Sequence, residues 1–244
     1  MKIFVISLKR SHERKESISS QLETLGLRYE FIEGVDGKNF TPKEQLKYDE
    51  GKRLGTHTMS PGLFGSAWAH IRACEEVIKR ELPYALILED DIYVGPEIKR
   101  ILSEEWINSG YWDFVHLGYS VGGFQLFRSW LKGTWFHIKK QPLFVLYALI
   151  KLPYICVMYT FEAIRQNIRV RFASAPVRFY RPVYLGSGYL VSQSGAKKIL
   201  SIAYPIRYEG DRLFNQARTK AGLRFFGYCP PPIRTCAEFG TDTL

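Results

Sequence analysis

Cysteine is scarce in this sequence: four residues in 244, Cys74, Cys156, Cys229 and Cys236, with no CxxC pair among them. That pattern excludes a zinc knuckle and a dense disulfide framework, and it predicts a reduced, cytosolic protein. No apolar leader follows Met1. Lys2–Ser7 is a strand-like run without a small-residue cleavage site, so a secretory signal is not expected. Nothing recurs at a fixed period, and 20 Gly and 12 Pro without register exclude collagen-like and low-complexity chains. Glycine is also missing where a phosphate-cradling loop would need it, in Ser7-Leu8-Lys9-Arg10 after the first strand. The most uneven absence is that of acid. From Ser120 to Pro182, Glu162 alone faces ten Lys and Arg, so this segment carries +9 of the chain's +10.

What is present is a foldable chain. Its 46% apolar and 15% aromatic content rules out disorder, and its length supports one sizeable core. The basic segment is itself rich in large apolar residues: Trp130, Leu131, Trp135, Phe136, then Pro142 to Phe161. Twenty such residues match a bilayer's thickness, but Lys151 and Pro153 in the middle disfavour a span. Flanking Trp, Tyr, Lys and Arg suit headgroup depth over anionic lipid. Phe124–Arg178 therefore reads as a helical membrane-surface insert. A buried helical hairpin with a solvated basic rim is the competing reading. No RNA- or DNA-binding motif accompanies the basic residues, so nucleic acid is not expected as a partner.

Elsewhere strands and helices alternate. Lys2–Ser7 and Pro83–Leu88 are short buried strands, and Tyr29–Glu33, Trp112–Leu117 and Leu223–Tyr228 are further strand candidates. Helices are predicted from Ser11 to Leu25, from Ser60-Pro61 to Arg80, from Ser192 or Ser194 to about Ile202, and over Asp211–Ala221. Pro182–Val191 reads as a strand bent at its glycines. This alternation implies an α/β fold, a mostly parallel sheet with helices on both faces.

Glu89-Asp90-Asp91 ends a buried strand. Adjacent carboxylates repel, and a divalent cation or an array of donors is what holds them together. In an open α/β sheet that edge is where ligands bind. A hard ion on one or two carboxylates, completed by phosphate oxygens and water, suits a nucleotide diphosphate; a solvated turn is the plain alternative. His70 and Cys74, four apart on one helix face, formally suit a soft metal, but a satisfied core pair is the simpler reading.

The run Phe4-Val5-Ile6-Ser7-Leu8-Lys9-Arg10-Ser11, with Arg14 and Gly34-Val35-Asp36-Gly37, resembles family 25 glycosyltransferases. These are sugar transferases of bacterial lipooligosaccharide biosynthesis, related to collagen galactosyltransferases. Pro61-Gly62 with His70 and Arg72, then Pro83 to Asp91, Gly188 to Ser192 and Gly195 to Leu200 extend the likeness over about residues 1–119 and 182–244. The resemblance implies a GT-A-like fold, an inverting transfer, Mn²⁺ or Mg²⁺, and a UDP-hexose donor, UDP-galactose before UDP-glucose. It makes residues 1–119 the nucleotide-sugar-binding half, 120–181 the membrane insert, and 182–244 the acceptor and catalytic half.

Residue by residue, the same resemblance implies that Asp91 and Glu89 hold the metal. Asp90 faces the ribose or the metal, its alternative being a cap for a helix near Pro96. Ser7, Leu8, Arg10, Arg14 and His70 line the donor site, the two arginines against phosphate or uracil unless they lie on a solvated helix face. Asp36 contacts the nucleoside or closes an Asx turn. Gly186 and Ser187 line the acceptor side. Asp211 is the first choice of base and Glu209 the second, unless both are only first-turn acids of a helix. The expected function is hexose transfer to a lipooligosaccharide at the cytoplasmic face of the bacterial inner membrane. A nucleotidyltransferase would need the missing glycine loop, and a non-catalytic membrane-surface adaptor remains the third reading.

Overall fold

The computed structural model describes residues 1–54, 59–120, 175–179 and 182–236, with residues 150, 152, 153 and 157. The chain divides into two compact units, Met1–Tyr119 with Pro176–Leu244, and Ser120–Ala175. The first unit opens with β1 (Lys2–Ser7), α1 (His12–Thr24), β2 (Glu30–Glu33), α2 (Pro42–Leu54) and α3 (Pro61–Lys79). Next come β3 (Tyr84–Glu89), β4 (Ile92–Val94), the short α4 (Ile98–Leu102) and α5 (Glu105–Asn108), and β5 (Phe114–Ser120). It closes with β6 (Ala175–Arg178), β7 (Tyr184–Ser192), α6 (Gln193–Ala203), α7 (Gly210–Lys220), β8 (Phe225–Cys229) and β9 (Ile233–Thr235).

A seven-stranded sheet runs β2-β1-β3-β7-β5-β8-β6, and β4 pairs with β9 in a small second sheet. β1 is parallel to β2 and β3, and β5 is parallel to β8, as the alternating sequence predicts. β7 departs from that pattern and runs antiparallel to β3, with Leu86 opposite Leu190 and Leu88 opposite Gly188. The consequence is positional: the start of β7 lies at the same sheet end as the finish of β1 and β3.

Both faces are covered. On one, Ile3, Val5, Leu86, Leu88 and Leu190 pack with Ile18 and Leu22 of α1 and Ile98 and Ile101 of α4. The alternate residues, Phe4, Ala85, Ile87, Tyr189 and Val191, are buried on the other face, where α3, α6 and α7 contact one another. Ser60 caps α3 by accepting from the Leu63 N–H, and Ser192 caps α6 by accepting from the Gly195 N–H. Ser11 precedes α1 as expected but makes no side-chain cap bond.

Three local features differ from the sequence expectation. α2 has no counterpart among the helices expected from sequence, although Thr41 and Glu44 form a reciprocal capping box at its start. β4 and β9 are only three residues each, too short for any periodic signal. The membrane-surface insert falls almost wholly outside the described residues. Its last four, Ala175–Arg178, are β6 at the sheet edge beside β8, so the lipid-facing reading does not extend to them. Among the described residues no helix is long and apolar enough to cross a membrane.

Candidate active site

A cleft of about 520 Å³ opens at the sheet end shared by the finish of β1 and β3 and the start of β7. Register explains the convergence. Ile6 pairs with Glu89 across the parallel β1–β3 ladder, so Ser7 stands beside the acidic triplet. Leu88 pairs with Gly188 across the antiparallel ladder, so the next steps set Ser187 beside Glu89 and Gly186 beside Asp90. The loop Gly34–Gly37 forms another wall, pressed onto the first turns of α3. A Cβ on Gly37 would lie 2.2 Å from the Pro61 carbonyl oxygen, and one on Gly65 would lie 2.2 Å from that of Val35. Only glycine permits this backbone-to-backbone approach.

At the acidic end of the cleft, Asp90 is buried and accepts from the Ser7 hydroxyl at 2.5 Å. It caps no helix: α4 begins beyond Glu97, so the alternative role near Pro96 is set aside. Arg14 lies between two acids, 3.5 Å from Asp90 Oδ1 and 3.6 Å from Asp91 Oδ2. It shares a face of α1 with buried Ile18 and with Gln21, whose amide bonds the Ile92 carbonyl and the Val94 N–H of β4. Burial raises the Asp90 carboxyl above its ordinary value against the pull of Ser7 and Arg14. Burial, then the charge of Glu89, pushes Asp91 up to about 7, with Arg14 opposing.

These acids fit a hard divalent ion in one sense only. A carboxylate disfavoured by burial and by a neighbouring charge is relieved by a cation, and oxygen donors suit Mn²⁺ or Mg²⁺. Yet among the described residues no three His, Cys, Asp or Glu side chains converge as a metal-holding group, so the triplet is not a closed cage. An ion here would share Asp91 with ligand oxygens. The soft-metal pairing of His70 with Cys74 does not form. Cys74 is fully buried with its thiol pushed up to about 12, and His70 bonds Tyr189 and Glu89 instead.

Across the cleft, Asp211 opens α7. Its Oδ2 accepts the Leu185 N–H at 2.8 Å, a bond to β7 rather than a cap of its own helix. Leu185 reaches it with φ +68°, a left-handed conformation that costs a non-glycine residue about 1–2 kcal/mol. Burial raises Asp211 to about 6, the Leu185 N–H opposing and Glu89 adding to the rise. Glu209 occupies the N-cap position of α7 without a side-chain cap bond and lines the cleft. Asn215 ties the two elements together. Its amide donates to the Val183 and Asp211 carbonyls at 2.7 and 2.8 Å, and its Oδ1 accepts the Val183 N–H at 3.1 Å.

The structure thus brings Ser7, Leu8, Arg14, Asp36, His70, Glu89, Asp90, Asp91, Gly186, Ser187, Glu209 and Asp211 to one cleft. Arg10 does not line it; its Nε pairs with Asp36 Oδ2 at 3.0 Å on the surface. Asp36 closes the Asx turn, accepting from the Lys38 N–H and the Asn39 amide, while still facing the cleft. Sequence reasoning missed Leu185, Asn215, Tyr189, the β9 residue Thr235 and Cys236 just after it. The last two arrive through pairing of Ile92 with Thr235 and a 2.7 Å bond from the Cys236 N–H to the Asp91 carbonyl. No local signal announces them.

The profile of glycosyltransferase family 25 (LPS biosynthesis protein) matches residues 1–214. A glycosyltransferase 25 family member of Drosophila melanogaster is 29% identical over 127 residues, 48% of this chain and 21% of that protein. Mouse procollagen galactosyltransferase 2 is 28% identical over 126 residues, 48% of this chain and 20% of that protein. Mouse inactive glycosyltransferase 25 family member 3 is 26% identical over 132 residues, 48% and 21% respectively. The matched region spans about a fifth of the length of these relatives.

Proposed function

The chain belongs to glycosyltransferase family 25, and from that premise we propose that it is an inverting hexosyltransferase. Its donor is a nucleotide diphosphate sugar, UDP-galactose in the first place and UDP-glucose in the second. One observation carries the reading. Asp90, Asp91 and Arg14 share a single cleft with Asp211, and Gly186 leaves the space beside Asp211 open.

In this reading Arg14 offers its charge to the diphosphate, while Ser7 fixes Asp90 and the Asp36 loop walls the nucleoside. Asp91, with Asp90 beside it, would hold Mn²⁺ or Mg²⁺, which supplies Lewis-acid stabilisation of the charge growing on the leaving diphosphate. Asp211 takes the proton of the acceptor hydroxyl. Its carboxyl at about 6 suits a base near neutral pH, and the Leu185 N–H holds one oxygen so that the other faces the cleft. Glu209 is the second acid available at that side.

The proposed acceptor is a lipooligosaccharide presented at a membrane surface. The family's description as an LPS biosynthesis protein supports it, as does the +9 segment between Ser120 and Pro182, which would confine the enzyme to the anionic cytoplasmic face where such a substrate is anchored. The intact protein should therefore pellet with anionic liposomes and not with neutral ones. Equal recovery in both supernatants removes the membrane part of the proposal.

Purified protein with Mn²⁺ and a panel of UDP-sugars is expected to release UDP, and EDTA or Asp91→Ala to reduce the release at least about 100-fold. Undiminished release in Asp91→Ala would contradict the metal role. A second reading, a non-catalytic adaptor, is supported by the inactive mouse relative. It takes precedence if calorimetry finds neither metal nor UDP bound.

A further inference from the structure

We infer that Glu89 reads the hydroxyls of the transferred hexose, with His70 and Tyr189 as its positioning residues. The inference rests on the proposed nucleotide-sugar chemistry and deepens it. Glu89 ends β3 with its side chain 31% exposed in the cleft, and its Oε1 lies 3.2 Å from His70 Nε2. The other ring nitrogen, Nδ1, lies 3.0 Å from the Tyr189 hydroxyl. The tautomer in which Nε2 donates to Glu89 and Nδ1 accepts from the Tyr189 hydroxyl satisfies both contacts. Tyr189 cannot swing away: it is wholly buried and stacked on Phe114, ring centres 4.5 Å apart. Three groups in series therefore hold one carboxylate oxygen and leave the other to the cleft.

Placement says what that oxygen meets. Asp91, at the leaving-group end, is two residues further along the chain. Towards the base, a Cβ on Gly186 would lie 4.0 Å from His70 Nε2 and 3.3 Å from Asp211 Oδ1. Glu89 thus stands between the acid at the diphosphate and the acid at the acceptor, and an in-line displacement puts the sugar ring between those two. A hexose offers hydroxyl donors whose orientation differs between epimers. A rigid anionic acceptor aimed at them discriminates far more strongly than an apolar wall, because a misplaced hydroxyl leaves it unpaired. With Oε1 engaged by His70, Glu89 is given to the sugar and the ion to Asp91 and Asp90.

Calorimetric titration of wild type, Glu89→Gln, His70→Gln and His70→Phe with UDP, UDP-galactose and UDP-glucose, Mn²⁺ present throughout, tests this. Wild type should bind one UDP-hexose more tightly than UDP. Glu89→Gln should bind UDP as wild type does but lose about 10-fold or more of the hexose increment, and with it the preference between epimers. His70→Phe should behave likewise, whereas His70→Gln, which keeps a donor at the Nε2 position, should retain most of the increment. An unchanged increment in Glu89→Gln sinks the inference and leaves the transferase reading standing, and so does loss of UDP binding itself in that variant. Wild type that binds none of the three ligands sinks both.

Discussion

Asp211 contributes less to stability as a carboxylate than it would as an amide, because its environment disfavours the charge. A folded-state value of about 6 against an ordinary 3.8 means that the charge opposes folding at neutral pH, and that stability returns as pH falls from 6 towards 3.8. Asp211→Asn keeps an oxygen for the Leu185 N–H, so it should raise stability by about 1–3 kcal/mol at pH 7 while abolishing transfer. Thermal unfolding and UDP release measure the two halves. In wild type kcat/KM should fall below about pH 6, as the base becomes protonated. A variant that loses stability and keeps activity would show that Asp211 is structural. Arg10 and Arg14 carry the same charge four residues apart, yet only Arg14 reaches the acids, because it shares a face with Ile18, which is pinned in the core.

Among elements, the loop Gly34–Gly37 and helix α3 are packed so closely that one methyl group decides their spacing. Gly65→Ala offers two opposing effects: a better helix former, worth about 1 kcal/mol, and a Cβ placed 2.2 Å from the Val35 carbonyl oxygen. Backbone cannot yield as a side-chain tip can, so the clash wins and costs about 1–3 kcal/mol net. Because that loop carries Asp36, UDP affinity should fall with stability, and an unchanged Tm with unchanged affinity refutes the tight apposition. Helices α1, α3, α6 and α7 were legible from capping residues and spacing. α2 was equally legible from Thr41-Pro42-Lys43-Glu44, but its few buried residues, Tyr48 and Gly51, gave no apolar stripe to notice. The antiparallel course of β7 was not legible, since a buried strand has the same apolar run in either direction.

For the whole molecule, pH stability depends as well on buried groups that do not line the cleft. His116 lies wholly buried among Phe114, Tyr119 and Phe225, and burial holds it down to about 3. The unfolded chain takes up its proton near 6.5, so stability drains as pH falls from 6.5 towards 3, by about 1.4 kcal/mol per unit. The difference in unfolding free energy between wild type and His116→Phe should show that slope, and a pH-independent difference would contradict it. Asp113 acts in the same direction but at lower pH, its contribution being lost only as pH falls from 3.8 towards 2. Buried, and bound by Arg224 and Lys198, it is held at about 2 and contributes support that persists until strongly acid pH. By itself the sequence determined the alternation of strands and helices, the acidic triplet at a strand end, the uneven charge and the family, because each is written in neighbouring residues or in their period. Only the tertiary structure decided that Asp211 faces the acids from 120 positions away, that Glu89 answers to His70, and that Arg10 stays outside. Those outcomes depend on ladder register and on the reversal of β7, both settled by packing between segments that are remote along the chain.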